Sequence, residues 1–447
     1  MTTKFKRTAA LLSAAAVPLA LAACGGGGDE AGGGGGTIDY WLWDSNQQPA
    51  YQQCADAFEE ANPDLKIKIT QRGWDDYWGT LSTGFQSDTA PDVFTDHLSQ
   101  YPQFAENGVL LPLDDVIDDI DTSIYAEGLA DLWVGQDGER YGLPKDWDTV
   151  ALFYNKTMVK EAGITEEEMA NLDWNPEDGG TYEDVIAKLT VDDNGVRGDE
   201  PGFDPKNVKV YGLGLPGSGG GNGQTEWSYF TETTGWTHTD KNPWGTKFQY
   251  DDPRFQESIT WWQGLIEKGY MPTLEATVGA SMNDNFGAGQ SAINANGSWM
   301  INTYAAYDGL DLGIAPTPIG PEGERASMFN GLADSIYAGT EDPEGAGKWV
   351  AYLASAECQD VVGEAAVVFP AIPSGAEAAV AAWDAKGIDV SAFTQQVEDG
   401  TTFLFPITQN AADVNAIMSP AMDAVISGKA DASSLTDAND QVNALFE

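Results

Sequence analysis

The chain has 447 residues, which at about 150 residues per domain corresponds to two or three domains, and its 42% hydrophobic content provides for a sizeable core. Asp and Glu number 70 against 22 Lys and Arg, and a net charge of −48 argues against partners that cationic side chains recognise, namely nucleic acid and anionic membrane surfaces. With two histidines and three cysteines the chain has too few ligands for a thiolate or imidazole zinc site, and we predict no metal and no cofactor.

The first 23 residues have the layout of a secretory signal, with a basic start followed by an apolar stretch over 9–20. They end in Leu-Ala-Ala-Cys, which resembles the bacterial lipobox, in which the cysteine, here Cys24, receives a lipid and becomes the first residue. The alternative is an ordinary signal in which Cys24 has no role. Residues 24–36 are rich in Gly and are predicted to form a flexible tether. Cleavage would remove three basic residues and change the net charge from −48 to −51.

Predicted strands and helices alternate along the body of the chain. The strands are predicted at 37–43, 65–70, 91–95, 150–154, 208–212 and 291–294, and the helices at 50–61, 74–86, 100–107, 182–189, 252–268, 343–353 and 411–427. Such alternation is typical of the α/β class, with parallel sheets flanked by helices.

Two apparent motifs fail on inspection. The stretch that begins at Asp192 resembles a calcium loop, but Val196 stands at its fifth position and no Glu at its twelfth. Residues 212–217 match the dinucleotide pattern, yet further glycines follow in place of a helix start that could bind a pyrophosphate. A glycoside hydrolase needs only two carboxylates, so composition does not exclude that enzyme class.

Apart from Cys24, the chain has two cysteines, Cys54 and Cys358. An exported protein folds where disulfides persist, and the two thiols can pair there. Both also lie in half-apolar helical segments, where cysteine packs as a small hydrophobic residue. The sequence leaves both possibilities open.

Eight short segments carry a resemblance to a known family. They are 58–64 (FEEANPD), 90–94 (APDVF), 107–113 (NGVLLPL), 137–144 (DGERYGLP), 152–156 (LFYNK), 286–293 (FGAGQSAI), 296–299 (NGSW) and 315–318 (APTP). Each is weak alone, but together and in this order they resemble the family 1 extracellular solute-binding proteins, the carbohydrate-type lipoproteins of ABC importers.

The resemblance implies a type II periplasmic-binding-protein fold, in which two α/β lobes close on a ligand about a hinge that the chain crosses several times. It places the first lobe at 37–148 plus 325–370 and the second at 152–322 plus 373–447, with crossings near 148–152, 322–329 and 369–374. Cys54 and Cys358 would then share a lobe. The implied protein is not an enzyme but a monomeric receptor, lipid-anchored on the extracytoplasmic face of the cell membrane, that delivers a carbohydrate to permease subunits.

A sugar presents C–H faces that stack on aromatic rings and hydroxyls that bond to carboxylates and amides. Of the 15 tryptophans, Trp349 and the pair Trp261 and Trp262 lie on predicted helices and are expected in the core, whereas four stand at strand ends or in loops: Trp43, Trp147, Trp227 and Trp299. Ligands of open α/β sheets bind at the carboxyl ends of strands. The candidate ligand-binding residues are Trp43, Asp44, Asp96, His97, Asp146, Asp148, Trp227, Trp299, Asn330 and Gly331. Resemblance to maltose-binding members of the family supports Asp148, Trp299 and the Asp96–His97 region most directly.

The Gly-rich segment 217–223 matches no fixed family pattern, and it forms either part of the cleft wall, with Gln224 and Trp227, or a mobile edge. A phosphorylated solute is disfavoured because Lys145 is the only cation near the candidate residues. The alternatives are another solute, such as a polyol, a glycerol-phosphate type compound or an oligopeptide, and a secreted glycoside hydrolase. The acidity fits either a saline habitat or a surface that keeps an exported protein soluble.

Overall fold

Residues 36–126 and 128–447, which the computed structural model describes, form two β-sheets with helices packed against both. The predicted signal, Cys24 and all of the predicted tether except Gly36 lie outside the described residues. No helix in the described ranges is long and apolar enough to cross a membrane.

The strands are β1 (Thr37–Leu42), β2 (Lys66–Gln71), β3 (Val93–His97), β4 (Leu143–Asp148), β5 (Val150–Asn155), β6 (Val191–Asp192), β7 (Val208–Leu213), β8 (Ser291–Gly297), β9 (Leu312–Ala315), β10 (Ser327–Ile336), β11 (Phe369–Pro370) and β12 (Thr402–Leu404). The helices are α1 (Gln48–Ala61), α2 (Trp74–Ser87), α3 (Tyr101–Glu106), α4 (Lys156–Glu161), α5 (Glu166–Ala170), α6 (Gly180–Leu189), α7 (Ser228–Thr231), α8 (Pro253–Glu267), α9 (Leu274–Thr277), α10 (Met282–Gly287), α11 (Ile301–Ala305), α12 (Pro343–Leu353), α13 (Ala356–Ala365), α14 (Pro373–Ala385), α15 (Ser391–Glu398), α16 (Ala411–Ile426) and α17 (Leu435–Asn443).

The first sheet has the strand order β11-β4-β10-β3-β1-β2, and β12 pairs with β10 beside this path. β1 runs parallel to β2 and β3, as the helical crossovers α1 and α2 require. β10 runs antiparallel to β3 and β4, and β11 antiparallel to β4. The prediction of parallel sheets was therefore wrong in part, because strands from distant parts of the chain join the parallel core in the opposite direction.

The second sheet has the order β6-β7-β8-β5-β9 and is also mixed, since β5 runs antiparallel to β8 and β9 while β7 and β8 are parallel. The chain passes from the first sheet to the second through the single buried residue Thr149, which lies between β4 and β5. The C-terminal ends of β4 and β8 therefore lie close to each other, since Val150 of β5 pairs with Gly297 of β8.

Helix α1 shows how the first core is built. Its buried residues recur at spacings of three and four (Ala50, Tyr51, Cys54, Ala55 and Phe58), so that one face packs inward. Cys54 meets Cys358 of α13 on this face, and the structure joins them by a disulfide with their Cα atoms 5.3 Å apart. Trp349 of α12 is fully buried in the same core.

The core beside the second sheet is rich in aromatic residues. Trp261 and Trp262 of α8 pack there with residues of α6, α16 and α17. Trp261, Trp262 and Trp349 are thus buried, as expected from their positions on predicted helices.

Most predicted elements occur with ends within two residues of those expected. The elements that were not predicted are the strands β4, β6 and β9 to β12 and the helices α4, α5, α7, α9 to α11, α13 to α15 and α17. The lobe boundaries themselves stay a prediction. One detail differs from them: β12 lies inside the segment 373–447 assigned to the second lobe, yet it pairs with β10 of the first sheet.

Candidate ligand-binding cleft

A cavity of about 440 Å³ is lined by elements of both sheets. Its first wall, from the first sheet and adjoining segments, consists of Trp43, Asp44, Ser45, Asn46, Gln47, Gln71, Gly73, Trp74, His97, Asp146, Trp147, Asp148, Asn330, Leu332 and Val368. Its second wall consists of Gly217, Ser218, Gln224, Asn283, Asn296, Trp299, Met300 and Thr303. Seven of the ten candidate residues line this cavity: Trp43, Asp44, His97, Asp146, Asp148, Trp299 and Asn330. Their contact with a ligand stays a prediction.

The end of β1 supplies an aromatic ring and an acid. Trp43 packs edge-on against Trp74 of α2, with ring centroids 5.1 Å apart. The backbone N–H of Asn46 donates to Asp44 Oδ1 over 2.7 Å, and Gln47 Nε2 donates to Asp44 Oδ2 over 3.2 Å. Burial nevertheless raises the pKa of Asp44. Trp74 is 43% exposed, so a large ring stands open to solvent beside the cavity.

Strand β4 carries two buried acids into the cavity, whereas its cation, Lys145, is held by neighbouring groups and does not line the cavity. Lys145 Nζ donates to Thr95 Oγ1 and Tyr40 Oη over 2.9 and 3.1 Å and lies 3.8 Å from Asp334 Oδ1. Lys145 does not line the cavity, so the only cation that the sequence placed near the site is bound elsewhere.

The two acids of β4 differ in their partners. Asp148 accepts from Asn330 Nδ2 over 3.3 Å and from Gln224 Nε2 over 3.4 Å, and burial raises its pKa well above the ordinary value. Asp146 is 1% exposed, and its Oδ2 has no hydrogen-bond partner among the described residues. Burial raises the pKa of Asp146 to about 7, while Lys145 opposes the shift.

His97 ends β3 and is held as a neutral ring. Its Nδ1 accepts from the backbone N–H of Ser99 over 3.1 Å, and its Nε2 lies 2.9 Å from Asn330 Nδ2. Burial lowers the pKa of His97 to about 3, so at neutral pH the ring brings no positive charge to the cavity. The oxygen Oδ1 of Asn330, a residue 3% exposed, has no partner among the described residues.

The second wall is neutral. Asn296 Nδ2 donates to Tyr304 Oη over 2.9 Å, which fixes the amide at the end of β8. Trp299 is the second residue after β8, and its ring lies over Gly297, where an added Cβ would stand 1.8 Å from Trp299 Cζ3. Glycine at 297 is therefore required for the position of the Trp299 ring.

The Gly-rich segment is part of this wall. Gly217 and Ser218 line the cavity, and His238 Nε2 lies 3.1 Å from the carbonyl oxygen of Asn222. The same His238 ring bonds Glu232 Oε1 through Nδ1 over 2.7 Å. The structure thus places the start of the segment and Gln224 in the cleft wall, but not Trp227.

Three candidate residues lie outside the cavity. Asp96 is buried beneath the first wall, where its Oδ1 accepts from the backbone N–H of His97, because alternation along β3 turns it to the other side of the sheet. Trp227 is 1% exposed and packs in the second core against Phe255. Gly331 faces Leu129 and Leu98 behind the sheet.

The sequence analysis also missed several lining residues. Trp74 was read only as the start of a helix, and nothing in the neighbouring sequence distinguishes it from an ordinary helix residue. The second-wall amides of Asn283 and Asn296 gave no signal, because each is brought to the cavity by tertiary contacts.

A larger cavity, of about 870 Å³, lies behind β4 and β10. Apolar residues line most of it, some from β10, β12, α14 and α15 and others from 126–132, and Trp147 lines both cavities. Its three carboxylates, Glu377, Asp384 and Glu398, are exposed, so the smaller cavity with its buried acids and amides is the better ligand site. Among the described residues no cluster of His, Cys, Asp and Glu could hold a metal ion.

A mixed α/β fold with a polar, aromatic cleft between elements of two sheets is the architecture of a bacterial two-lobe binding protein. Residues 53–388 match the family model of the bacterial extracellular solute-binding proteins, and the chain belongs to that family. Membership in an extracellular family places the protein outside the cytoplasm.

Similar sequences include sugar-binding proteins. The chain is 26% identical over 317 residues to the maltotriose-binding protein of Pyrococcus abyssi, a match that covers 69% of this chain and 60% of that protein's length. It is 26% identical over 304 residues to the maltodextrin-binding protein MdxE of Bacillus subtilis, covering 67% of this chain and 64% of the relative.

Solved structures share the fold. An ABC substrate-binding protein from Listeria monocytogenes, in complex with cycloalternan, has a TM-score of 0.78 at 21% identity and covers 92% of this chain and 98% of its own. The GacH receptor of Streptomyces glaucescens has a TM-score of 0.73 at 21% identity, and the match covers 92% of this chain and 97% of that receptor's chain. The two-lobe type II fold that the resemblance implied is thereby confirmed.

Proposed function

We propose that this protein is a carbohydrate receptor that captures a sugar or oligosaccharide in the 440 Å³ cleft and delivers it to the permease of an ABC importer. The observation that carries the proposal is the combination of half-exposed tryptophans with buried acids and amides in one cavity. Trp43 and Trp299 offer ring faces to C–H surfaces, and Asp148 and Asn330 offer directed bonds to hydroxyls. The maltotriose- and maltodextrin-binding relatives support the same solute class.

The mechanism is capture by closure of two lobes, 37–148 plus 325–370 and 152–322 plus 373–447, about the crossing at Thr149. Asn46 Nδ2 of the first wall already lies 3.4 Å from Thr303 Oγ1 of the second, so polar groups meet across the cleft. No bond of the ligand needs to be broken, and we assign the protein no catalytic activity.

A thermal-shift screen against mono-, di- and oligosaccharides tests this function. A ligand present at 100 times its dissociation constant adds about 2.7 kcal/mol to the free energy of unfolding, which raises the melting temperature measurably. Polyols, glycerol phosphate and oligopeptides form the comparison arm, and a shift confined to that arm contradicts the sugar assignment. Chromatography of the bound sugar after long incubation separates a receptor, which returns it intact, from a glycoside hydrolase.

We further propose that Cys24 carries a lipid that holds the monomeric receptor at the outer face of the cell membrane. Changing Cys24→Ser removes the acceptor thiol and should release the protein into the medium or leave it as uncleaved precursor. Fractionation of cells that express the wild-type and variant chains measures this. A fully processed, lipid-free Cys24→Ser protein that remains in the membrane fraction contradicts the anchor.

A further inference from the structure

The charge of the cleft narrows the class of ligand. Three carboxylates line the cavity, those of Asp44, Asp146 and Asp148, and no Lys or Arg is among the described lining residues. Lys145, the nearest cation, does not line the cavity: it is bound to Tyr40 and Thr95 beside Asp334, and its charge only partly opposes the effect of burial on Asp146.

Asp146 is the acid of the cleft whose buried oxygen lacks a hydrogen-bond partner among the described residues. It is 1% exposed, lines the cavity, and its Oδ2 accepts no hydrogen bond from the described residues. A buried carboxylate without a donor is costly, and that cost is removed when a donor, above all a cationic one, binds to it.

Aromatic rings stand on the same side of the cleft. Trp43 and Trp74 meet edge-on at 5.1 Å, and Trp74 meets the neutral His97 ring at 5.7 Å. Ring faces attract cations, most strongly when the surroundings exclude water. Acids and indole rings together thus favour a positively charged group over a neutral one of the same shape.

We propose that the preferred ligand is a sugar that bears a protonated amine, with the ammonium group bound at Asp146. This inference rests on the proposed sugar-binding function and specifies its ligand class. The neutral second wall, with Asn296 and Trp299, would then hold the uncharged remainder of the sugar.

Isothermal titration calorimetry on the full mature chain tests this with matched trios of sugars. Each trio has a neutral sugar, its 2-amino analogue and the N-acetylated analogue: glucose, glucosamine and N-acetylglucosamine; the galactose counterparts; and cellobiose, chitobiose and N,N′-diacetylchitobiose. At pH 6 we expect the amine to bind at least about tenfold more tightly than the neutral member, the scale of one charge-assisted hydrogen bond.

The variant Asp146→Asn keeps the shape of the side chain and removes its charge. We expect it to bring the affinities for amine and neutral sugar within about threefold of each other. Asp96→Asn is the matched control, because Asp96 is an equally buried acid that does not line the cavity, and it should leave the ratio of the two affinities unchanged.

The number of protons released when the ligand binds provides a second test, which does not depend on the affinity. The titratable and polar groups around Asp146 come from several elements. Lys145 and Asp148 lie on its own strand, and Asp334 and Asn330 lie on β10. Asp44 follows β1, Tyr51 belongs to α1, and His97 lines the same cavity. Burial holds the pKa of Asp146 at about 7, so at pH 6 an ammonium ligand should ionise it and release up to one proton. Titrations in buffers of different ionisation enthalpy measure the release, which a neutral sugar should not cause.

Equal or tighter binding of the neutral sugars, an unchanged affinity ratio in Asp146→Asn, or no binding of any amine overturns the inference. The proposed sugar-binding function is tested separately in each of these cases, because it depends on whether the neutral sugars bind in the same trios and in the wider screen.

Discussion

The two walls of the cleft differ in charge. The four ionisable side chains among the described lining residues, Asp44, His97, Asp146 and Asp148, all belong to the first wall. The second wall offers amides and hydroxyls around Trp299. Recognition of charge thus depends on the strands of the first sheet, whereas stacking of a sugar ring depends on the segment after β8. Variants of the two walls should therefore affect ligand binding in different ways.

The scaffolds behind the walls differ as well, and the largest expected effect concerns them. The disulfide ties α1 to α13 behind the first wall, and the sequence of the second region contains no cysteine. The bond spans 304 positions, and closing so long a loop contributes about 5 kcal/mol by chain entropy. The double variant Cys54→Ala, Cys358→Ala should lose a stability of this order in urea unfolding.

Thiol titration of the unfolded, non-reduced protein that lacks Cys24 provides the control for the disulfide. Two free thiols in the wild-type body contradict the bond. Sugar affinity should change little in the double variant, because neither cysteine lines the cleft.

The second wall is tested by Trp299→Ala. If the ring stacks on a sugar, the loss should weaken binding by about 2 kcal/mol or more, the scale of a binding hot spot. If Trp299 serves the core instead, the change should cost about 3–5 kcal/mol of folding stability and leave affinity nearly unchanged. Fluorescence titration and melting temperatures, measured on the same preparations, distinguish the two. Trp227→Ala is the matched control, since that ring is buried in the second core and should affect stability alone.

The residues of the two walls can be predicted from the sequence only where their positions depend on contacts between residues that are near each other in the chain. Helix α1 was predicted because its periodicity is local, and Asp44 because it directly follows a clear strand. Trp227 looks like a loop residue beside Gly, but Trp236, His238 and Phe255 close over it from later positions. Its burial is a tertiary property without a local signal.

Strand β10 shows the same limit for the fold. Its centre, Asn330-Gly331, reads as a turn, yet the strand continues through it because β3 and β4 pair with it on both sides. The family resemblance, rather than periodicity, drew attention to Asn330.

Ionisable groups in and beneath the first wall should make the stability of the protein depend on pH. Burial raises the pKa of Asp96 to about 8, so the folded chain retains a proton that the unfolded chain has lost, and stability falls as pH rises toward 8. His97, whose pKa burial lowers to about 3, has the opposite effect, but only below its ordinary value of about 6.5.

Between pH 6.5 and 8 the Asp96 carboxyl should therefore lower the free energy of unfolding by up to about 1.4 kcal/mol per pH unit. Asp96→Asn should flatten this slope, and Asp251→Asn, at an exposed position, should not. Urea unfolding at half-unit pH steps measures both. An Asp96→Asn slope equal to that of the wild type would show that Asp96 ionises freely in the folded chain.

The smallest effect tests where the two walls touch. Gln224 Nε2 of the second wall donates to Asp148 Oδ1 of the first over 3.4 Å, at a buried position. The contact between Asn46 Nδ2 and Thr303 Oγ1 is equally long but exposed. A buried acid that loses a donor is left partly unsatisfied, whereas water replaces an exposed partner. Gln224→Ala should thus weaken sugar binding by about 1 kcal/mol, and Asn46→Ala by less. The reverse order, measured by calorimetry at pH 7, would mean that closure depends on the exposed rim rather than on the acids of β4.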